Sequence, residues 1–239
     1  MKPPLLKADL ESALARRFGP AIKLREKPPR ESAFIGIGEV DSITGGLPRG
    51  ALSEFVGPVS SGRTSLLLAT LAAATARGEA CALVDVSDAF DAVSGAAAGI
   101  DLDRLLWIRC GGNGEHGLKA TDLLLQGGGF GLVALDLGDL SPGDARRIQP
   151  TWWFRFRRAV ENKPTVILVI AHESCARSSA SLVLEMKRED AAWSTPESSE
   201  SPQPIPVRSN LLRGFQLQIE RNKPIKLGKR SVRIKAVAR

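Results

Sequence analysis

The sequence predicts an α/β fold, a mostly parallel β-sheet flanked by helices, on three observations. Short apolar runs alternate with amphipathic or alanine-rich segments along most of the chain, the pattern of repeated βαβ units. A glycine loop, Gly57-Pro58-Val59-Ser60-Ser61-Gly62-Arg63-Thr64-Ser65, separates one such run from the helical segment behind it. The chain has 239 residues, 43% of them hydrophobic, enough for one sizeable core with terminal extensions.

Residues 5–18 carry Leu6, Leu10, Ala13, Leu14 and Phe18 at helical spacing, and Gly19-Pro20 stops the run. Residues 23–30 mix prolines with charges, so residues 1–30 read as an N-terminal helix and linker. The core is expected over residues 31–190. Residues 35–43 lead into the turn cluster Gly45-Gly46-Leu47-Pro48-Arg49-Gly50. Residues 51–56 form a short buried strand ending at the glycine loop, and 66–76 a helix. Strand 80–86, helix 88–99 and strand 105–108 follow, then a flexible turn at 111–114. A helix over 118–126 breaks at Gly127-Gly128-Gly129, and strand 131–137 holds Asp136. Residues 145–162 are helical, interrupted or started at Pro150, and 165–171 (TVILVIA) are another buried strand. Residues 191–209 are rich in Ser, Pro and Glu and read as a flexible loop. Phe215, Leu217 and Ile219 alternate, as do Val232 and Ile234, which predicts a basic pair of strands over 210–239 that completes the core.

A net charge of +7 favours contact with nucleic acid or another acidic surface. Cys81, Cys110 and Cys175 lie far apart and show no metal-binding spacing. Cys81 and Cys110 sit in apolar runs and read as buried thiols in a reducing cytosol. His116 and His172 are the only histidines, so no triad or metal cluster can be built from them. Met1-Lys2-Pro3-Pro4 leads into a charged segment rather than a secretory leader, and no apolar run reaches about 18 residues. A cytoplasmic location without membrane contact is the expectation.

The glycine loop matches a phosphate-binding loop at Gly57, Ser60, Ser61, Gly62, Thr64 and Ser65. Such a loop cradles a nucleotide triphosphate with backbone N–H groups, a lysine on the β/γ-phosphates and a hydroxyl on Mg²⁺. Thr64 supplies the hydroxyl, but the lysine is Arg63. A planar guanidinium is not interchangeable with an ammonium. Arg63 has three options: binding phosphate bidentately, filling the pocket, or pairing with an acid such as Asp136. Asp136 ends an apolar strand, where an acid holds Mg²⁺ through water, so Thr64 and Asp136 are the candidate metal residues. Asp85, Asp88 and Asp91 follow the second strand and either face the phosphate or cap a helix.

In these segments, and in their order, the chain resembles the RecA family of strand-exchange ATPases. The likeness runs from Arg17-Phe18-Gly19 through 46–56 and the loop 57–65, then through 84–91, 98–106, 114–118 and the Asp136 strand. It implies a RecA-like core, with ATP and Mg²⁺ as cofactors and Asp91 near the adenine. The family's catalytic glutamate falls on Ser87, its stacking aromatic on Ser94, and its nucleotide-sensing glutamine near His172-Glu173. The segments that the resemblance sets against the family's two DNA-binding loops are short, over 137–147 and 172–181, and no counterpart of its C-terminal gateway domain is expected. A short chain of this kind is similar to the ImuA group, which is itself similar to RecA and to SulA-type division inhibitors. Members of that group work with an ImuB-type subunit, an inactive Y-family polymerase homologue, and an error-prone replicative polymerase in SOS translesion synthesis. The resemblance implies a non-catalytic or weakly catalytic accessory protein of DNA-damage tolerance, its partners a polymerase-like subunit, RecA itself and DNA. The alternative is an active RecA-like DNA-dependent ATPase or recombination modulator.

Two surfaces are candidates for DNA or partner contact. Arg221, Lys223, Lys226, Lys229, Arg230 and Arg233 belong to an acid-free basic tail, which suits phosphates or is a solvated strand face. The resemblance places Arg221-Asn222-Lys223 on a segment that reaches a neighbouring subunit's nucleotide. Trp152-Trp153-Phe154-Arg155-Phe156-Arg157-Arg158 mixes aromatics with arginines; Trp153, Phe156 and Val160 share a helix face. That face suits a core, and Trp153, Arg155, Arg157 and Arg158 also suit an interface. The helix over 5–18 docks either on its own core or on a second copy, giving self-association.

Overall fold

The computed structural model describes residues 31–193, 212–224 and 230–237. The expected N-terminal helix, the Ser/Pro-rich segment from residue 194, Lys226 and Lys229 lie outside them.

A small ribbon, β1 (Ser32–Ala33) with β2 (Leu47–Pro48), brackets helix α1 (Gly38–Thr44). The main sheet starts with β3 (Ala51–Val56), which leads through the glycine loop into α2 (Arg63–Ala76). Then come β4 (Cys81–Asp85), α3 (Ala92–Ala97), β5 (Leu105–Arg109), α4 (Gly114–Gly127) and β6 (Leu132–Asp136). Helices α5 (Pro142–Arg147) and α6 (Pro150–Val160) precede β7 (Val166–Ala171). The chain finishes with β8 (Ala180–Trp193), β9 (Leu212–Lys223) and β10 (Arg230–Val237).

The strand order is β10-β9-β8-β3-β7-β6-β4-β5. Strands β8, β3, β7, β6, β4 and β5 are parallel to one another, and β9 and β10 add antiparallel. Every residue of β3, β4 and β7 is buried. Continuous apolar runs of this kind belong to strands covered on both faces. The two-residue pleat divides each strand between two cores. Phe55, Val166, Leu168 and Ile170 pack with Leu66, Leu67 and Leu71 of α2. Leu52, Val56, Ile167 and Val169 pack with Leu118 and Leu125 of α4 and with Trp153, Phe156 and Val160 of α6.

Three boundaries differ from the sequence expectation. The helix expected from residue 88 begins at Ala92, because Asp88 sits at φ 56° and Asp91 caps the first turn. Residues 145–162 are two helices, since extended Ile148 and Gln149 precede the Pro150 that starts α6. Strand β8 continues through Trp193, inside the expected loop, because Ala191, Ala192 and Trp193 pair with Phe215, Gly214 and Leu212.

Candidate functional site

The site lies at the C-terminal ends of β3, β7, β6 and β4, where parallel α/β sheets bind ligands. Strand β3 hands over at Gly57, whose N–H donates to the carbonyls of Ala171 and His172. A Cβ at Gly57 would stand 2.4 Å from the Met186 carbonyl oxygen and 2.6 Å from Ser61 Oγ, so only glycine fits. Ser60 (φ 61°) and Gly62 (φ 88°) take the left-handed turn that delivers the chain into α2. A Cβ at Gly62 would lie 2.3 Å from Leu217 Cδ1 of β9. The first amides of α2 have no intrahelical acceptor and carry the positive end of its dipole. They border a cavity of ≈ 300 Å³ lined by residues 59–65 with Asp139, Arg188 and Phe215.

Arg63 decides what this cavity can do. The side chain is only 6% exposed and crosses to the turn after β6, where Nη2 donates to the Gly138 carbonyl at 3.0 Å. Nη1 has no hydrogen-bond partner among the described residues. Burial lowers the guanidinium pKa, and the charges of Asp136 and Asp139 oppose that effect. Arg63, Thr64 and Asp139 line both this cavity and an inner cleft of only ≈ 70 Å³ that also includes Phe90 and Asp136.

Asp136 faces that inner cleft, and its Oδ1 accepts the Gly138 N–H at 2.8 Å. Burial pushes its pKa up from 3.8 to about 6, and the charges of Asp85 and Asp139 act in the same direction. The Gly138 hydrogen bond and Arg63 act against them. A raised carboxyl pKa means that the folded state binds the proton more tightly than the unfolded state. Its contribution to stability is complete below pH 3.8 and is lost as pH rises through 6. Asp136→Asn is therefore expected to gain about 2 kcal/mol relative to wild type between pH 4 and pH 8. Urea unfolding at a series of pH values measures this; parallel profiles for the two proteins would refute it.

The remaining acids near the cleft are committed to local structure. Buried Asp85 accepts from the N–H groups of Ala89 and Phe90 and from Trp107 Nε1. Asp88 accepts from the N–H groups of Cys110 and Gly111 and from Arg109. Asp91, expected beside an adenine, is the cap of α3 and holds the amide and hydroxyl of Ser94. No residue from 85 to 104 lines the outer cavity. Among the described residues, no three side chains of the metal-ligating types cluster. Thr64 and Asp136 line the inner cleft together, with Arg63 on the same wall.

The candidate contact residues divide by burial. Trp153 is buried against Phe156 in the α6 core and Arg221 is 3% exposed, its Nη1 donating to the Ile43 carbonyl at 2.6 Å. Neither is presented to DNA or a partner, a correction forced by the inward phase of α6 and of the odd-numbered residues of β9. Lys223 donates to the Arg177 carbonyl. Arg155 pairs with Asp122 and lies over the Trp152 ring. Arg157, Arg158 and Arg230 are exposed, and exposed Arg233 pairs with Glu189 at 2.8 Å.

Sequence reasoning missed Glu54, Arg188 and Phe215. Glu54 is fully buried in the middle of β3, and its carboxyl group gathers the loop after β7. Oε1 accepts from the N–H groups of Cys175 at 2.9 Å and Ala176 at 2.8 Å, and Oε2 from Ser174 Oγ at 2.5 Å. An acid inside an otherwise apolar strand was the available signal. Next to it, burial raises the Cys175 thiol pKa, with Glu54 adding to the effect. Arg146 of α5 pairs with Glu173 at 2.6 Å, so the turns after β6 and β7 are also joined to each other.

Comparison with known proteins agrees with this architecture. A family model described as the RecA N-terminal domain matches residues 30–143. Protein RecA of Methylobacterium sp. (strain 4-46) is 34% identical over 159 residues, 59% of this chain and 43% of that protein. Protein RecA of Methylobacterium radiotolerans is 38% identical over 120 residues, 50% of this chain and 32% of that protein. Protein RecA of Acidiphilium cryptum is 36% identical over 137 residues, 53% and 40% respectively. The chain spans less than half the length of these curated relatives. The sheet, its flanking helices and these similarities give the protein a RecA-like α/β core. No helix among the described residues is long and apolar enough to cross a membrane.

Proposed function

We propose that this chain is a RecA-fold accessory protein of DNA-damage tolerance, similar to the ImuA group and acting in SOS translesion synthesis. It works through contacts with an ImuB-type subunit or RecA and with DNA, and its ATP site is degenerate. The observation that carries this reading is the buried position of Arg63 across the mouth of the Asp136 cleft. The cleft that Thr64 and Asp136 share, with Arg63 on its wall, has a volume of only ≈ 70 Å³. Ser87 offers no carboxylate to orient water, and Asp85 is already bound by three donors.

The short turns after β6 and β7 support the same reading. They are tied down through Arg146–Glu173 and through Glu54, which leaves little freedom for loops that would order on DNA. Exposed Arg157, Arg158, Arg230 and Arg233 remain for an acidic partner or for nucleic-acid phosphates.

The test pairs two measurements on the full chain. Binding to a purified ImuB-type subunit or to RecA is expected, with the same affinity in the presence and absence of ATP. ATP turnover is expected to stay at background with or without single-stranded DNA. Robust DNA-stimulated turnover would overturn the accessory reading in favour of an active ATPase.

A further inference from the structure

We propose that the outer ridge of α6, built from Phe154, Arg157 and Arg158, docks an acidic protein partner that offers an apolar pocket rimmed by carboxylates. This rests on the accessory-protein reading and gives its partner a surface and a chemistry.

The ridge is what remains of α6 once the helix is packed. Trp153, Phe156 and Val160 are buried in the core. Trp152 packs partly on the same core, and Arg155 lies over its ring and pairs with Asp122 of α4. Phe154 follows Trp152 by two positions and Arg157 follows Arg155 by two. Each step of two is about 200° round the helix, so Phe154 and Arg157 stand on the flank turned away from α4. Phe154 is 54% exposed and meets no other ring among the described residues. Arg157 and Arg158 are exposed, and neither makes a hydrogen bond or ion pair with the described residues. They come three and four positions after Phe154, the spacing that makes side chains neighbours on a helix surface.

The charge of this ridge is uncompensated. Helix α6 lies against the 3-10 turn Arg177–Ser179, whose exposed Arg177 adds a third guanidinium. The Lys223 amine is held on the Arg177 carbonyl beside it. The acids of the neighbouring elements are engaged: Asp122 by Arg155, Glu173 by Arg146, and Glu185 by Lys187 and Asn222. Glu161, which ends α6, also has a partner. Three guanidiniums therefore meet solvent beside one exposed ring, with no ion pair among the described residues.

This composition favours a protein over a nucleic acid. Arginine and aromatic anchors are enriched in interface hot spots, where burial of the anchor excludes water from the contacts around it. A single nucleic-acid strand is instead tracked by a positively charged groove, with its bases stacked on rings. The ridge of α6 is convex, and its ring stands next to guanidiniums rather than along a groove. The complementary shape is a concave apolar pocket. The complementary charge is a rim of carboxylates, which accept the guanidinium fork through two bonds.

Titration of the full chain with a purified ImuB-type subunit, with RecA and with single-stranded oligo(dT) tests this. One of the two proteins is expected to bind wild type. Phe154→Ala is expected to weaken that binding at least about tenfold, the size of a hot-spot loss. Arg157→Gln combined with Arg158→Gln is expected to weaken it about a hundredfold and to flatten its salt dependence. Arg104→Gln combined with Arg109→Gln removes the same charge from exposed ion pairs flanking β5. That control is expected to change binding less than about threefold. Equal losses in the two double variants would overturn the assignment, since they would show only a general attraction between charges. Ridge variants that bind like wild type would overturn it too, and the accessory reading would stand. Oligo(dT) binding lost in the ridge double variant, with protein binding unchanged, would overturn it in favour of nucleic acid. If neither protein binds wild type, the ridge assignment falls together with the partners named above. ATP turnover by wild type would instead overturn the non-hydrolytic reading alone, and the ridge variants would still decide the surface. Circular dichroism spectra and melting temperatures matching wild type exclude misfolding of the variants.

Discussion

Glu54→Ala is expected to destabilise the protein by about 3–5 kcal/mol, because it strands several buried donors at once. The N–H groups of Cys175 and Ala176 and the Ser174 hydroxyl all end on this one carboxyl group. The Cys175 thiol also reaches it at 3.4 Å. Removing the acceptor leaves those donors without partners and opens a cavity beneath β7, and the two costs act together. Glu54→Gln keeps an oxygen for the two amides and a nitrogen that can meet the Ser174 oxygen, so its cost is expected to stay within about 1 kcal/mol. Urea unfolding monitored at Trp153 and Trp152 measures both. An alanine variant within 1 kcal/mol of wild type would show that the loop finds other acceptors and that Glu54 is not its anchor.

Arg63→Lys is expected to raise ATP affinity by at least about tenfold while leaving turnover at background. The guanidinium spans from α2 to the Gly138 carbonyl and closes the inner cleft with its planar head. An ammonium on a flexible stem lacks that planar bulk, so the cleft opens toward Asp136. Binding and hydrolysis then part company. The lysine restores a phosphate partner, but Ser87 still cannot orient water and Asp85 still holds Ala89, Phe90 and Trp107. Calorimetry reports the first effect and a coupled phosphate-release assay the second. Turnover in Arg63→Lys would mean that Arg63 alone had silenced the site; unchanged affinity would mean that Arg63 is not the obstruction.

Much of the fold could be read in advance because the strands over residues 51–56, 80–86, 131–137 and 165–171 are nearly uninterrupted apolar runs. Such runs have only one low-energy placement, the centre of a parallel sheet. The glycine loop was legible for a related reason: Gly57 and Gly62 sit where a Cβ would strike backbone or side chain. What escaped was everything that depends on long-range juxtaposition. Arg63 was visibly unusual, but its destination, a carbonyl in the turn after β6, belongs to a segment far along the chain. Phe215 looked like an ordinary strand residue and Arg188 drew no reading, until β8 and β9 brought both to the loop. Arg221 and Trp153 carried surface-like chemistry in sequence, and the pleat and the helix phase turned them inward. Asp91 was placed near a base through resemblance, and its capping of α3 through Ser94 depended on a helix boundary that the sequence did not mark.

The contact of Leu217 with Gly62 has a bearing on how the molecule is made. The loop's shape is completed by a strand that leaves the ribosome long after the loop itself. A nascent chain carrying everything through β7 already has the central strands of the sheet, but the glycine turn lacks the side chain that packs against it. The glycine turn therefore gains its final packing last, when the late strands zip onto β8, and a protein stalled before that point would display the motif without the side chain that packs on it.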